Sequence, residues 1–164
     1  MGRSKRIISS ILLFFTISIC WGCTEKPTPT DEPTATPIPY YEFQGIRAGA
    51  KWTEALAIFG EPENQIQEDV LLTTYTYPHY MVMTAKQGGE EYVTAIRLRS
   101  SAVETARGTV VGDSKETVIQ QEGNDFIIDG SGNLLYVKEE TTLCFMLDED
   151  GTVYAIEYGS ISEE

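Results

Sequence analysis

Gly45-Ile46-Arg47-Ala48-Gly49 and Gly108-Thr109-Val110-Val111-Gly112 share one G-x-x-x-G spacing, and the second lies 63 residues after the first. The same offset carries Gly60 onto Gly123 and Leu56 onto Ile119. Further along, Val93-Thr94-Ala95-Ile96 matches Val153-Tyr154-Ala155-Ile156 at an offset of 60, three fewer, as deletion within a loop would produce. Glycines in register argue for two copies of one unit, about 45–99 and 108–159, the second compressed. Repeated supersecondary units bury a shared core.

Each unit opens with a helix. Trp52, Ala55, Leu56 and Phe59 recur at spacings of three and four, which makes one apolar stripe. Gly60 stands where a C-terminal cap belongs, and Pro62 forbids continuation. In the second unit Asp113-Ser114-Lys115-Glu116 reads as a capping box with Asp113 as the cap, Val118 and Ile119 supply a thin apolar side, and Gly123 ends the helix. Ala50 occupies the matching cap position of the first unit, so that helix starts less firmly. Strands rich in Val, Ile, Thr and Tyr follow: Leu71 to Tyr77, Tyr80 to Ala85 and Tyr92 to Leu98, then Leu134 to Lys138, Thr142 to Asp148 and Thr152 to Tyr158. Pro78-His79, Gln87-Gly88-Gly89-Glu90 and Asp150-Gly151 punctuate them as turns. The expected fold class is α+β: two tandem units, each a helix plus a three-stranded antiparallel meander, with the helices packed on one face of the sheet.

Residues 40–164 form the expected globular domain, and two segments of different character precede it. Arg3, Lys5 and Arg6 lead into the apolar run Ile7 to Cys20, too short to span a bilayer, and a small residue follows; this is the pattern of a secretory signal over residues 1–22. Residues 24–39 hold five Pro and five Thr and no aromatic side chain, so with Cys23 they form an extended linker that reaches about 50 Å at most. The whole chain of 164 residues carries a formal charge of -13. Loss of residues 1–22 takes three cations and no acid, leaving -16. A surface this acidic lacks the cation density that nucleic acid binding requires, and it is repelled by an anionic membrane, so any anchoring falls to a lipid tether.

The junction Cys20-Trp21-Gly22-Cys23 resembles the lipobox of bacterial lipoproteins, in which the Cys after a small residue is diacylated. That resemblance implies lipidation of Cys23, a cell-membrane location facing the extracytoplasmic side, and membrane lipid as a partner. Two acyl chains hold a protein on a bilayer stably. Cys20 and Trp21 depart from the usual pattern. Over residues 45–159 the glycines Gly45, Gly49, Gly60, Gly108, Gly112 and Gly123, with Pro62 and the V-x-A-I strands, resemble the SmpA/OmlA type of small outer-membrane assembly lipoproteins and the tandem-repeat β-lactamase inhibitor proteins. Those motifs are structural and carry over no inhibitory or assembly residue; the resemblance implies protein binding.

Residues with chemistry of their own are few. His79, the sole histidine, sits in a turn, and a single histidine excludes the usual multi-histidine zinc sites. Cys144 alternates with Leu143 and Phe145 in a strand, as a buried inert thiol does. Asp129-Gly130-Ser131-Gly132-Asn133 places Asp129, Ser131, Asn133 and Glu140 at calcium-loop intervals, but Leu134 stands where the glycine of the sharp turn is needed. Glu90-Glu91 and Glu139-Glu140 are adjacent on strand ends and point to opposite faces, which does not make an acid and base pair. No phosphate-binding loop and no nucleophile elbow is present. The chain is expected not to be an enzyme and to need no cofactor.

The candidate binding residues are therefore on the surface of the sheet. Tyr75 and Tyr77, two apart, share one face of their strand; Tyr136 lies on the first strand of the second unit, and the sequence does not fix which face it takes. Arg97 and Glu157 occupy equivalent places on the last strands, and their parity marks the open face. Tyrosines beside charges suit a protein partner. A protein-binding module is the expected function; a glycan- or cation-binding module and, behind it, a hydrolase are the alternatives.

Overall fold

The computed structural model describes residues 41–161. The signal segment, Cys23 and the Thr/Pro-rich linker lie outside the described residues. The element order is α1 (Trp52–Phe59), β1 (Asn64–Gln67), β2 (Leu72–Thr76), β3 (Tyr80–Gln87), β4 (Glu90–Leu98), α2 (Lys115–Glu122), β5 (Ile127–Ile128), β6 (Leu134–Lys138), β7 (Thr141–Leu147) and β8 (Val153–Ser160). The strands make one antiparallel sheet of order β1-β2-β3-β4-β8-β7-β6-β5.

This corrects the expected architecture. Each half is a helix followed by four strands rather than three, and the halves join into a single eight-stranded sheet through β4 and β8. The additional strand is β1 in one half and β5 in the other, and both lie at the sheet edges. Asn64-Gln65-Ile66-Gln67 is exposed at every position, and Ile127-Ile128 is only a pair, so neither has the alternation that marks a half-buried strand.

Corresponding places in the two halves use the same backbone bonds. Gly49 donates to Val93 O at 2.7 Å and Gly112 to Val153 O at 2.8 Å, while Val93 and Val153 donate back to Ala50 O and Asp113 O. Gly60 and Gly123 both cap their helix by donating to the carbonyl four residues earlier, Leu56 and Ile119. Their backbones (φ 74°, ψ -169° and φ 100°, ψ -175°) lie in a region that only glycine occupies without strain.

The helix starts differ from each other and from expectation. Ser114, not Asp113, caps α2, accepting from Thr117 N, whereas Asp113 accepts from Val110 N one turn of chain earlier. Lys51 begins α1 with no side-chain cap.

Both helices feed one core. Trp52 and Ala55 of α1 and Val118 of α2 bury against the face that carries Tyr75, Val82, Ile96, Leu134, Tyr136, Phe145 and Ile156. The strand residues in between point away from the helices.

Candidate functional site

Arg97 and Glu157 stand directly opposite each other where β4 meets β8. Arg97 Nε donates to Glu157 Oε2 at 2.7 Å, and a second guanidinium nitrogen lies at 2.5 Å from the same oxygen. Ile96 pairs with Tyr158 and Leu98 with Ile156, so the join is symmetric about this ion pair. The flanking residues are buried on the helix side; Arg97 and Glu157 keep part of their side chains in solvent on the other. The ladder extends from the pair in both directions as Asn64–Thr76–Met81–Arg97–Glu157–Cys144–Leu135–Ile127, crossing all eight strands of the sheet. Ile66, Thr74, Met83 and Ala95 form a parallel row in the first half. This is the open face, and it is half apolar.

The tyrosines named from the sequence are not on it. Tyr75, Tyr77 and Tyr136 are 6%, 4% and 1% exposed and belong to the helix-covered core. Tyr75 is opposite Val82, which is opposite Ile96, so the register puts it on the face away from Arg97. It stacks on Trp52 with ring centroids 3.8 Å apart. The Tyr77 hydroxyl donates to Gly60 O at 2.8 Å and the Tyr136 hydroxyl to Gly123 O at 2.9 Å, so each satisfies a carbonyl at a helix C-cap. Burial pushes all three phenols up to about 12, helped at Tyr75 by the Glu91 carboxylate, which accepts a hydrogen bond from its hydroxyl. These residues are packing and capping groups. Of the five surface candidates, the structure brings together only Arg97 and Glu157.

Cys144 borders the ion pair on the open face and is half-buried. Burial first, then the carboxylates of Asp129 and Glu157, pushes its thiol up to about 11, away from a nucleophilic thiolate. His79 is exposed in its turn. Asp129 spends its carboxylate inside its own loop: Oδ1 accepts from Ser131 N and Asn133 N, and Oδ2 from Asn133 Nδ2. Those bonds hold its pKa below the ordinary carboxylate range, Asn133 contributing most. Among the described residues no three His, Cys, Asp or Glu side chains are grouped to hold a metal, and no helix is long and apolar enough to cross a membrane.

One polar cluster escaped the sequence reading. Glu122, 7% exposed, accepts from Thr105 Oγ1 at 2.7 Å and Thr109 Oγ1 at 2.8 Å, and Arg107 donates to its carbonyl at 2.6 Å. The signal available was an acid four residues after Val118, on the apolar stripe of α2. The cluster ties α2 to the loop before it. A cleft of about 510 Å³ opens nearby, lined by buried Phe43 and Tyr158 and by exposed Glu42 and Glu104; neither histidine nor cysteine lines it.

No protein-family model and no curated protein matches the chain. Solved structures similar to it include the following three. A DUF4309 family protein, YjgB, from Bacillus subtilis has a TM-score of 0.44 and 19% identity over 68% of this chain and 78% of its own. A cysteine-rich secretory protein from Staphylococcus aureus has a TM-score of 0.49 and 11% identity over 74% of this chain and 46% of its own. An extracellular protein containing an SCP domain from Bacillus anthracis has a TM-score of 0.44 and 11% identity over 76% of this chain and 49% of its own. The chain thus spans about half the length of the last two, which by their descriptions are secreted or extracellular proteins. The resemblance to SmpA/OmlA lipoproteins and β-lactamase inhibitor proteins is corrected accordingly: the similar structures are of other kinds, and each half has one strand more than that resemblance implied.

Proposed function

We propose that this chain is a membrane-tethered extracytoplasmic lipoprotein that works as a non-catalytic protein-binding module, with the open face of the sheet as its working surface. The observation that carries the reading is the ladder from Asn64 to Ile127, a broad surface of partly exposed Met81, Cys144 and Leu135 around the Arg97–Glu157 pair. Apolar area with an arginine at its centre is the composition that protein contacts favour. The recurrence of the same bonds around Gly49 and Gly112 and around Gly60 and Gly123 supports reading the halves as copies of one unit. The anchor at Cys23, the leader 1–22 and the linker to residue 39 rest on the sequence.

The test is photo-crosslinking in intact cells from a photoreactive residue placed at position 81 or 144. The expected result is an adduct with one protein, lost on Arg97→Glu. Adducts no stronger than those from the exposed helix position 54 overturn the reading. Acyl labelling that persists in Cys23→Ala overturns the anchor.

A further inference from the structure

Among the described residues no strand pairs with the outer side of β1, and this edge differs in composition from the other described strands. Glu68 N donates to Leu72 O, so the alternation of an antiparallel ladder turns Asn64 and Ile66 toward β2 and leaves the backbone N–H and C=O of Gln65 and Gln67 facing outward. Sheet edges are commonly blunted by a lysine, a proline or a bulge. β1 has none of these: its four residues are Asn, Gln, Ile and Gln, paired to β2 without a register shift. Acids bracket the strand, Glu61 and Glu63 before it and Glu68 and Asp69 after it. From Trp52 to Ala85 the chain has five carboxylates and no Lys or Arg. Exposed Ile66 and Leu72 lie beside the edge on the open face, 48% and 43% accessible, in line with Met83 and Ala85. The other edge, β5, is only two residues long and offers much less backbone.

We infer that β1 is a docking edge for an extended, cationic segment of a partner protein, which adds as a ninth strand. The inference rests on the protein-binding reading and gives it a site and a chemistry. Main-chain bonds to Gln65 and Gln67 provide affinity without sequence demands, the side chain facing Ile66 provides apolar contact, and basic residues at the two ends meet the bracketing acids. Charge disfavours a second copy in that place, because edge-to-edge pairing would bring the same acids against each other. It likewise disfavours an anionic lipid surface at the exposed Val70-Leu71 tip, which Glu68 and Asp69 precede.

The experiment uses the full chain and a fluorescent synthetic peptide, Lys-Lys-Val-Thr-Val-Thr-Lys-Lys, with binding read by anisotropy. The expected result is saturable binding that weakens as salt rises. Gln67→Pro removes one outward N–H and is expected to weaken binding by about tenfold or more. The pair Glu63→Lys with Glu68→Lys keeps the backbone and is expected to do the same, so the inference does not depend on how well the proline variant folds. A peptide with Glu in place of each Lys is expected not to bind. No binding of the Lys peptide, equal binding by the charge-reversed chain, or equal binding of the Glu peptide overturns the inference. So does a dimer of the free chain that Gln67→Pro dissolves, or sedimentation with phosphatidylglycerol vesicles that Leu71→Asp abolishes. If the peptide fails while open-face crosslinking still returns a protein, the edge assignment alone falls; if both fail, the protein-binding reading falls with it.

Discussion

The two halves hold their helices by opposite chemistries. At the offset that superposes Gly60 on Gly123, Phe59 corresponds to Glu122, Phe43 to Ala106 and Ile46 to Thr109. In the first half Phe43 packs edge-on to Tyr80 at 5.0 Å and against Phe59 at 6.0 Å, and Tyr77 stacks on Tyr80 at 4.7 Å. In the second, the same corner is Thr105, Thr109, Arg107 and Glu122, joined by hydrogen bonds. The backbone scaffold and the tyrosine cap are common to both. A preserved frame thus accepts an apolar or a polar clasp, provided the polar one leaves no buried group unpaired. No buried side-chain polar atom among the described residues lacks a partner.

Truncation of the apolar clasp is the harshest test of that difference. Phe43→Ala removes a ring that touches Phe59, Tyr80 and Tyr158, and is expected to cost about 3–5 kcal/mol of stability, read as a lower urea midpoint. Breaking the polar clasp costs less but by another route: Glu122→Ala removes the acceptor of the Thr105 hydroxyl and one of the two acceptors of the Thr109 hydroxyl, which also donates to Gln121, and about 1–3 kcal/mol is expected. A larger loss from Glu122→Ala than from Phe43→Ala would reverse the comparison. The shared feature should respond alike in both halves. Tyr77→Phe and Tyr136→Phe each delete one hydroxyl bond to a cap carbonyl, and each is expected to cost about 1 kcal/mol in the same denaturation assay.

These phenols also predict the alkaline limit. Tyr75, Tyr77 and Tyr136 are held at about 12 against an ordinary value of 10.0. Above the lower value the unfolded chain releases its phenolic protons first, so stability that is complete below it falls as pH rises toward the higher. Circular dichroism against pH is expected to show unfolding in that window, with the loss reduced in either Tyr→Phe variant. A fold indifferent to pH there would mean that the hydroxyls are not held as described.

The parts of the fold that were legible are those whose cause is local. Gly60 and Gly123 announce themselves because each helix must end in a conformation that a Cβ resists. The parity of Arg97 and Glu157 was readable because charged side chains avoid an unpaired burial. Tyr75 and Tyr77 do share a face, but alternation alone cannot say which face the helices cover. The register Tyr75–Val82–Ile96 settles that, and it is a property of three strands rather than of one. Glu122 was illegible for a similar reason: its partners Thr105 and Thr109 come from the preceding loop.

By itself the sequence determined the punctuation of the chain, two short helices closed by glycine and the six longer strands, because capping, turn formation and period-two burial act over a few residues. The tertiary structure decided that the edges are finished by Asn64–Gln67 and Ile127–Ile128, that β4 joins β8 across the Arg97–Glu157 pair, and that the tyrosines lie under the helices. Those outcomes depend on pairing between segments distant in the chain, and an exposed edge strand has no buried side of its own to announce it.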